Sequence, residues 1–175
     1  MLRCHRLGGG GVIFQSCCTP VDIAHLLRRR YGLPVELADN RPMLRCGTRI
    51  GAVDMPATLG RRVRTLLPAE PSVPIVSTSR DRRWTFLVEP AHPGCPDRLA
   101  PHQVVPRPSG RVVLLPVTHA GPGSYWASEP TPGPLRLPGQ ATVLEAARRV
   151  VDAEDTDRPG TGDANRAGSL PGSGW

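Results

Sequence analysis

Lysine is absent. All 22 positive charges in this 175-residue chain are arginine. A surface selected for phosphate contact tolerates both types, because lysine also binds phosphate well. An all-arginine set beside abundant Gly, Pro and Ala points instead to GC-rich coding. The formal charge of +7 is therefore no evidence by itself for a nucleic-acid partner. The five cysteines (Cys4, Cys17, Cys18, Cys46, Cys95) form no CxxC pair. Adjacent Cys17 and Cys18 cannot easily place two thiolates on one metal, so neither a zinc site nor a disulfide framework is indicated. No apolar run approaches the ~20 residues of a membrane helix. Val12-Ile13-Phe14 is too short for a signal-peptide core. The expectation is a cytoplasmic protein with reduced thiols and no membrane contact.

What the chain does have is turn formers: 21 Pro and 19 Gly, spread without a period. They predict many short elements. Charge is uneven. Residues 1–64 hold 11 Arg against four acids, and residues 151–175 hold two Arg against five acids.

Residues 1–18 show little periodicity and are expected to be a flexible leader. Residues 19–151 carry the domain. Thr19-Pro20 opens a helix at 20–31, with Arg28-Arg29-Arg30 in its last turn and Gly32 as its stop. Strands are expected at 33–37, 43–46 and 50–55, the first two joined by the turn cluster 38–42. Pro56 starts a second helix. Further strands are expected at 73–76, 84–88 and 124–127. Val104-Val105 and Arg111–Leu115 flank Pro108-Ser109-Gly110, which reads as a hairpin. A third helix opens at Thr142. Residues 152–175 are too polar to bury a core and are expected to be a disordered acidic, Gly/Pro-rich tail. The predicted fold class is α+β: about three helices with a mixed or antiparallel sheet of seven or eight short strands.

Three stretches appear in a telling order. The first is Gly47-Thr48-Arg49-Ile50-Gly51-Ala52-Val53-Asp54-Met55-Pro56. The second is Ser77-Thr78-Ser79-Arg80-Asp81-Arg82-Arg83-Trp84-Thr85-Phe86. The third runs Pro108-Ser109-Gly110-Arg111-Val112-Val113-Leu114-Leu115-Pro116, then Tyr125-Trp126. Together they resemble the N-terminal domain of bifunctional DNA primase/polymerases of the archaeo-eukaryotic type. The resemblance covers about residues 47–127 and implies a primase–polymerase-like fold.

The departures bear on activity. The family carries a D-x-D strand, which puts two carboxylates on one face to hold divalent metals beside a triphosphate. Here Asp54 is kept and Pro56 stands where the second acid belongs. Arg83 or Trp84 replaces the family's nucleotide-contacting histidine. The resemblance thus implies a degenerate, non-catalytic domain that binds nucleotide, nucleic acid or a protein partner. Asp54 would be the remaining catalytic and metal-binding position, and Arg80, Arg82, Arg83 and Arg111 the phosphate-contacting set. No cofactor is expected. Mg2+ enters only on the rival reading, an active nucleotidyltransferase in which Asp81 or Glu89 supplies the second acid. A small protein-interaction module is the other rival.

Each residue also has a plain structural reading. Asp54 then stabilises the start of the following helix. The Arg80–Arg83 cluster is a solvated turn. Trp84 and Phe86 are core. Tyr125 and Trp126 point to opposite faces, so one of them is available for base stacking. His119 has no partner at catalytic spacing, and Gly8–Gly11 is not followed by the Lys of a P-loop.

Overall fold

The computed structural model describes residues 19–69, 72–78, 82–91, 97–117 and 123–156. The expected leader, Arg80, Asp81, His119 and the tail from residue 157 lie outside the described residues.

Helix α1 spans Pro20–Tyr31, as its caps predict. Thr19 Oγ1 accepts from the Asp22 backbone N–H at 3.2 Å, and Asp22 Oδ2 accepts from the Thr19 N–H at 3.0 Å. This reciprocal box satisfies two otherwise orphaned donors. These bonds favour the charged Asp22 carboxylate and hold its pKa below the usual value. Gly32 ends the helix at φ 65°, a left-handed conformation that glycine adopts without strain.

Two antiparallel sheets follow. Strands β1 (Glu36–Ala38), β2 (Arg41–Arg45) and β7 (Val112–Leu114) form a three-stranded sheet in the order β1-β2-β7. Asp39 and Asn40 both take positive φ and make the two-residue turn between β1 and β2. The second sheet has the order β6-β3-β5-β4-β8. Its strands are β3 (Gly51–Pro56), β4 (Ile75–Thr78), β5 (Arg83–Val88), β6 (Val105–Pro106) and β8 (Ser124–Ser128). Helix α2 (Ala57–Leu66) leaves β3 directly, and α3 (Gln140–Thr156) closes the described chain. The observed class is α+β, with three helices and short antiparallel strands.

Alternation along β3 to β5 sorts the core into two layers. On one face Val53, Met55, Ile75, Trp84 and Phe86 pack on Val63 of α2 and on Val143, Ala147 and Val150 of α3. On the other, Ala52, Val76, Leu87 and Trp126 meet Ile23 and Leu27 of α1, Leu44 of β2 and Val113 of β7. Trp84 and Phe86 are core, their ring centroids 6.3 Å apart at 53°. A tilted pair of this kind adds roughly 0.5–1.5 kcal/mol beyond area burial.

The structure corrects three sequence expectations. The strands flanking Pro108–Gly110 are not a hairpin. β6 pairs with β3, and β7 pairs with β2 in the other sheet. The turn instead carries the chain between sheets, with the Gly110 N–H donating to the Cys46 carbonyl at 2.8 Å. Helix α3 starts at Gln140, ahead of Thr142, because the Gln140 N–H is satisfied by the Glu89 carbonyl. It also runs past Val151 to Thr156. Ion pairs from Arg148 to Glu145 and Asp152, and from Arg62 to Glu154, support this acidic end. Among the described residues no helix is long and apolar enough to cross a membrane.

Candidate functional site

Asp54 lies in the middle of β3, on the face turned toward the three-stranded sheet. Its cross-strand neighbour is Thr85 on β5, itself 3% exposed. Thr85 Oγ1 donates to Asp54 Oδ1 at 2.6 Å. Arg107 Nε donates to Asp54 Oδ2 at 2.7 Å. Both carboxylate oxygens are therefore engaged, one by a hydroxyl and one by a guanidinium. Their side chains are only 16% and 29% exposed, so the pair is weakly screened by solvent. Arg107 Nη1 also donates to the Val112 carbonyl on β7 at 2.5 Å. One guanidinium thus ties the two sheets together.

This arrangement replaces the reading of Asp54 as a stabiliser of the following helix. It does not stabilise the start of α2, whose N-cap is Pro56 and carries no side-chain cap bond. Nor does it stand in a metal-binding cluster: among the described residues no group of three or more His, Cys, Asp or Glu side chains could hold a metal ion. The proposed second acid Glu89 sits four positions beyond Thr85, roughly 13 Å along the strand, too far to share an ion with Asp54.

The sequence comparison of Pro56 and Arg83 gains a geometric meaning, for the two are register partners across β3 and β5. Arg83 reaches over β3 to Gln103, with Nη1 3.1 Å from Oε1 and Nη2 2.9 Å from the backbone carbonyl. It is a strand-spanning strut. Arg82 is exposed at φ 47°, and its carbonyl accepts from the Ala57 N–H at 2.7 Å. Arg111 is exposed but belongs to the approach to β7, in the other sheet. The expected arginine set is therefore not one cluster among the described residues. Trp126 is buried, and Tyr125 is the partly exposed member of its pair.

Sequence reasoning missed Arg107. Flanked by Pro106 and Pro108, it lies just before the Pro108-Ser109-Gly110 turn and outside every motif. The one signal in the sequence is a lone acid, Asp54, within an apolar strand, which needs a partner.

Arg107 also lines a cleft of about 540 Å³ at the junction of the sheets. Its apolar walls come from Pro90, Val104, Val105, Pro106 and Pro108, and its polar groups from Cys46, Ser109, Gln140 and Arg107. Burial pushes the Cys46 thiol pKa upward, with the Arg107 charge opposing this in part, so the thiol stays neutral. No protein-family model, curated protein or solved structure matches the chain.

Proposed function

We propose that this chain is a non-catalytic domain of the primase–polymerase type, acting in the cytoplasm by binding nucleic acid or nucleotide. One observation supports the non-catalytic part. The Asp54 carboxylate is consumed by Thr85 and Arg107, and Pro56 offers no second acid beside it. Metal-assisted nucleotidyl transfer needs carboxylates free to ligate. The binding part rests on the ordered motifs of residues 47–127 and on the exposed guanidinium groups of Arg82 and Arg111.

Primer extension with Mg2+ or Mn2+ tests the first part, and the expected result is no incorporation. Incorporation that vanishes in Asp54→Ala sinks the reading. Fluorescence anisotropy with single-stranded DNA across a salt series tests the second. Each phosphate contact should add roughly 0.7 to the slope of log K against log salt. The double variant Arg82→Asn/Arg111→Gln should flatten that slope, Asn being tolerant of positive φ. A wild-type response already flat with salt favours a protein-interaction module instead.

A further inference from the structure

We infer that the cleft at the junction of the two sheets binds an aliphatic monocarboxylate of medium chain length, with its chain against the cleft walls and its carboxylate at the mouth. This goes beyond nucleic-acid binding through Arg82 and Arg111 and does not depend on it.

The walls select the body of the ligand. Pro90, Ala100, Val104, Val105, Pro106 and Pro108 line the cleft, and the described lining residues include no aromatic side chain. A base would find no ring to stack on. Val105 is 47% exposed, so a ligand in the cleft would cover apolar surface that the fold leaves open. A peptide strand fits less well. The Arg107 N–H donates to the Ala52 carbonyl of β3 at 2.8 Å, so its neighbour Pro106 faces away from β3. Pro106 brings no N–H to that edge, and Pro90 and Pro108 add none to the lining. The volume of about 540 Å³ lies within the range of small-molecule sites.

Charge selects the head group. Arg107 is the sole charged side chain among the described lining residues, and Asp54 answers it. Cations without an answer stand in the two turns that border the cleft. One turn closes through the Gly47 N–H on the Ile50 carbonyl, and the other through the Arg111 N–H on the Pro108 carbonyl. The two are fastened together, the Cys46 N–H donating to the Arg111 carbonyl at 2.7 Å and the Gly110 N–H to the Cys46 carbonyl at 2.8 Å. Arg49 follows the lining residue Gly47 in the first turn, and Arg111 follows the lining residue Ser109 in the second. Both are exposed, and neither side chain has an ion pair among the described residues. Arg45, between the same turns and β1, is by contrast answered by Glu36. Two uncompensated guanidinium groups beside an apolar, charge-balanced cleft match a carboxylate carried on an apolar chain.

The test is a titration of the 15N-labelled full chain with butanoate, hexanoate, octanoate and octan-1-ol, followed by NMR. Octanoate should give saturable shifts at the Gly47, Gly51 and Val105 amides. Each two-carbon extension should tighten binding several-fold, up to roughly fifteenfold if both carbons are fully buried. Octanoate should bind about three- to fivefold more tightly than octan-1-ol, and Arg49→Gln/Arg111→Gln should remove that preference while leaving the alcohol unchanged. Val105→Asn should weaken octanoate about tenfold and leave the salt slope of DNA binding as it was, which separates this site from the nucleic-acid surface. Ala100→Phe, on an exposed part of the rim, should block the cleft and carries the test if Val105→Asn fails to fold. Absence of saturable shifts up to about 10 mM octanoate overturns the proposal. Equal affinity along the chain-length series, equal affinity for acid and alcohol, or unchanged binding in either folded cleft variant overturns it as well. Tighter binding of adenosine 5′-monophosphate at the same amides overturns it in favour of a nucleotide site.

Discussion

Arg107 Nε lies 2.7 Å from Asp54 Oδ2, across 53 residues of sequence, while Arg107 Nη1 holds the Val112 carbonyl of the neighbouring sheet. The position that looks most catalytic in the sequence is thus half of a structural ion pair. Removing one partner leaves the other partly buried and unpaired. Arg107→Met and Asp54→Asn should each cost about 2–3 kcal/mol in urea denaturation. The double variant should cost less than the sum of the two. Additive losses would show that the pair is not coupled.

Magnesium gives an independent reading of the same carboxylate. A ligand that binds only the folded state raises its melting temperature. With Asp54 already engaged, millimolar Mg2+ should leave the Tm of the wild-type chain unchanged. A rise that disappears in Asp54→Asn would mean that the ion displaces Arg107.

Gly60 lies in the middle of α2, where alanine is ordinarily favoured by about 1 kcal/mol. Here a Cβ would stand 2.9 Å from Trp84 Cε3 and 3.2 Å from Trp84 Cβ. Trp84 is 7% exposed and sits against Phe86, so it cannot swing clear. Overpacking of this kind costs roughly 1–3 kcal/mol, enough to outweigh the propensity gain. Gly60→Ala should lower the Tm. A higher Tm would mean that α2 can lift off the sheet freely.

Much of this fold is legible wherever the cause is local. Thr19, Asp22 and Gly32 specify α1 within fourteen consecutive positions, and the helix forms where they place it. The period-two pattern of Trp84 and Phe86 identifies one of the two core faces of β5. Legibility ends where pairing depends on distant partners. Val105 and Val112 read as two arms of one turn, yet their strands join different sheets. The choice is made by β3 and β2, whose hydrogen bonds a local reading does not contain. Arg107 was hidden for the same reason. Lone Asp54 was visible, but nothing near it in sequence named its cation.

Acid titration should expose the surface of α3. Hydrogen bonds and charge from Arg148 and Arg149 hold the Glu145 pKa down, from 4.5 to about 2. A depressed folded-state value means that the stabilisation is present above pH 4.5 and is lost as pH falls toward about 2. The group is solvent-exposed, so the sensitive readout is its NMR titration midpoint. That midpoint should rise toward 4.5 in Arg148→Gln/Arg149→Gln. A midpoint already near 4.5 in the wild type would show that the ion pairs do not persist in water.

The double duty of Arg107 has a consequence for how such a chain changes over generations. Installing metal binding at Asp54 takes more than replacing Pro56 by an acid, since the existing carboxylate must also be released. The side chain that occupies it is the one that fastens the sheets. Each single substitution toward activity therefore passes through a less stable protein, while substitutions elsewhere on the surface carry no such burden. An ion-binding site at this position is obstructed by the architecture itself.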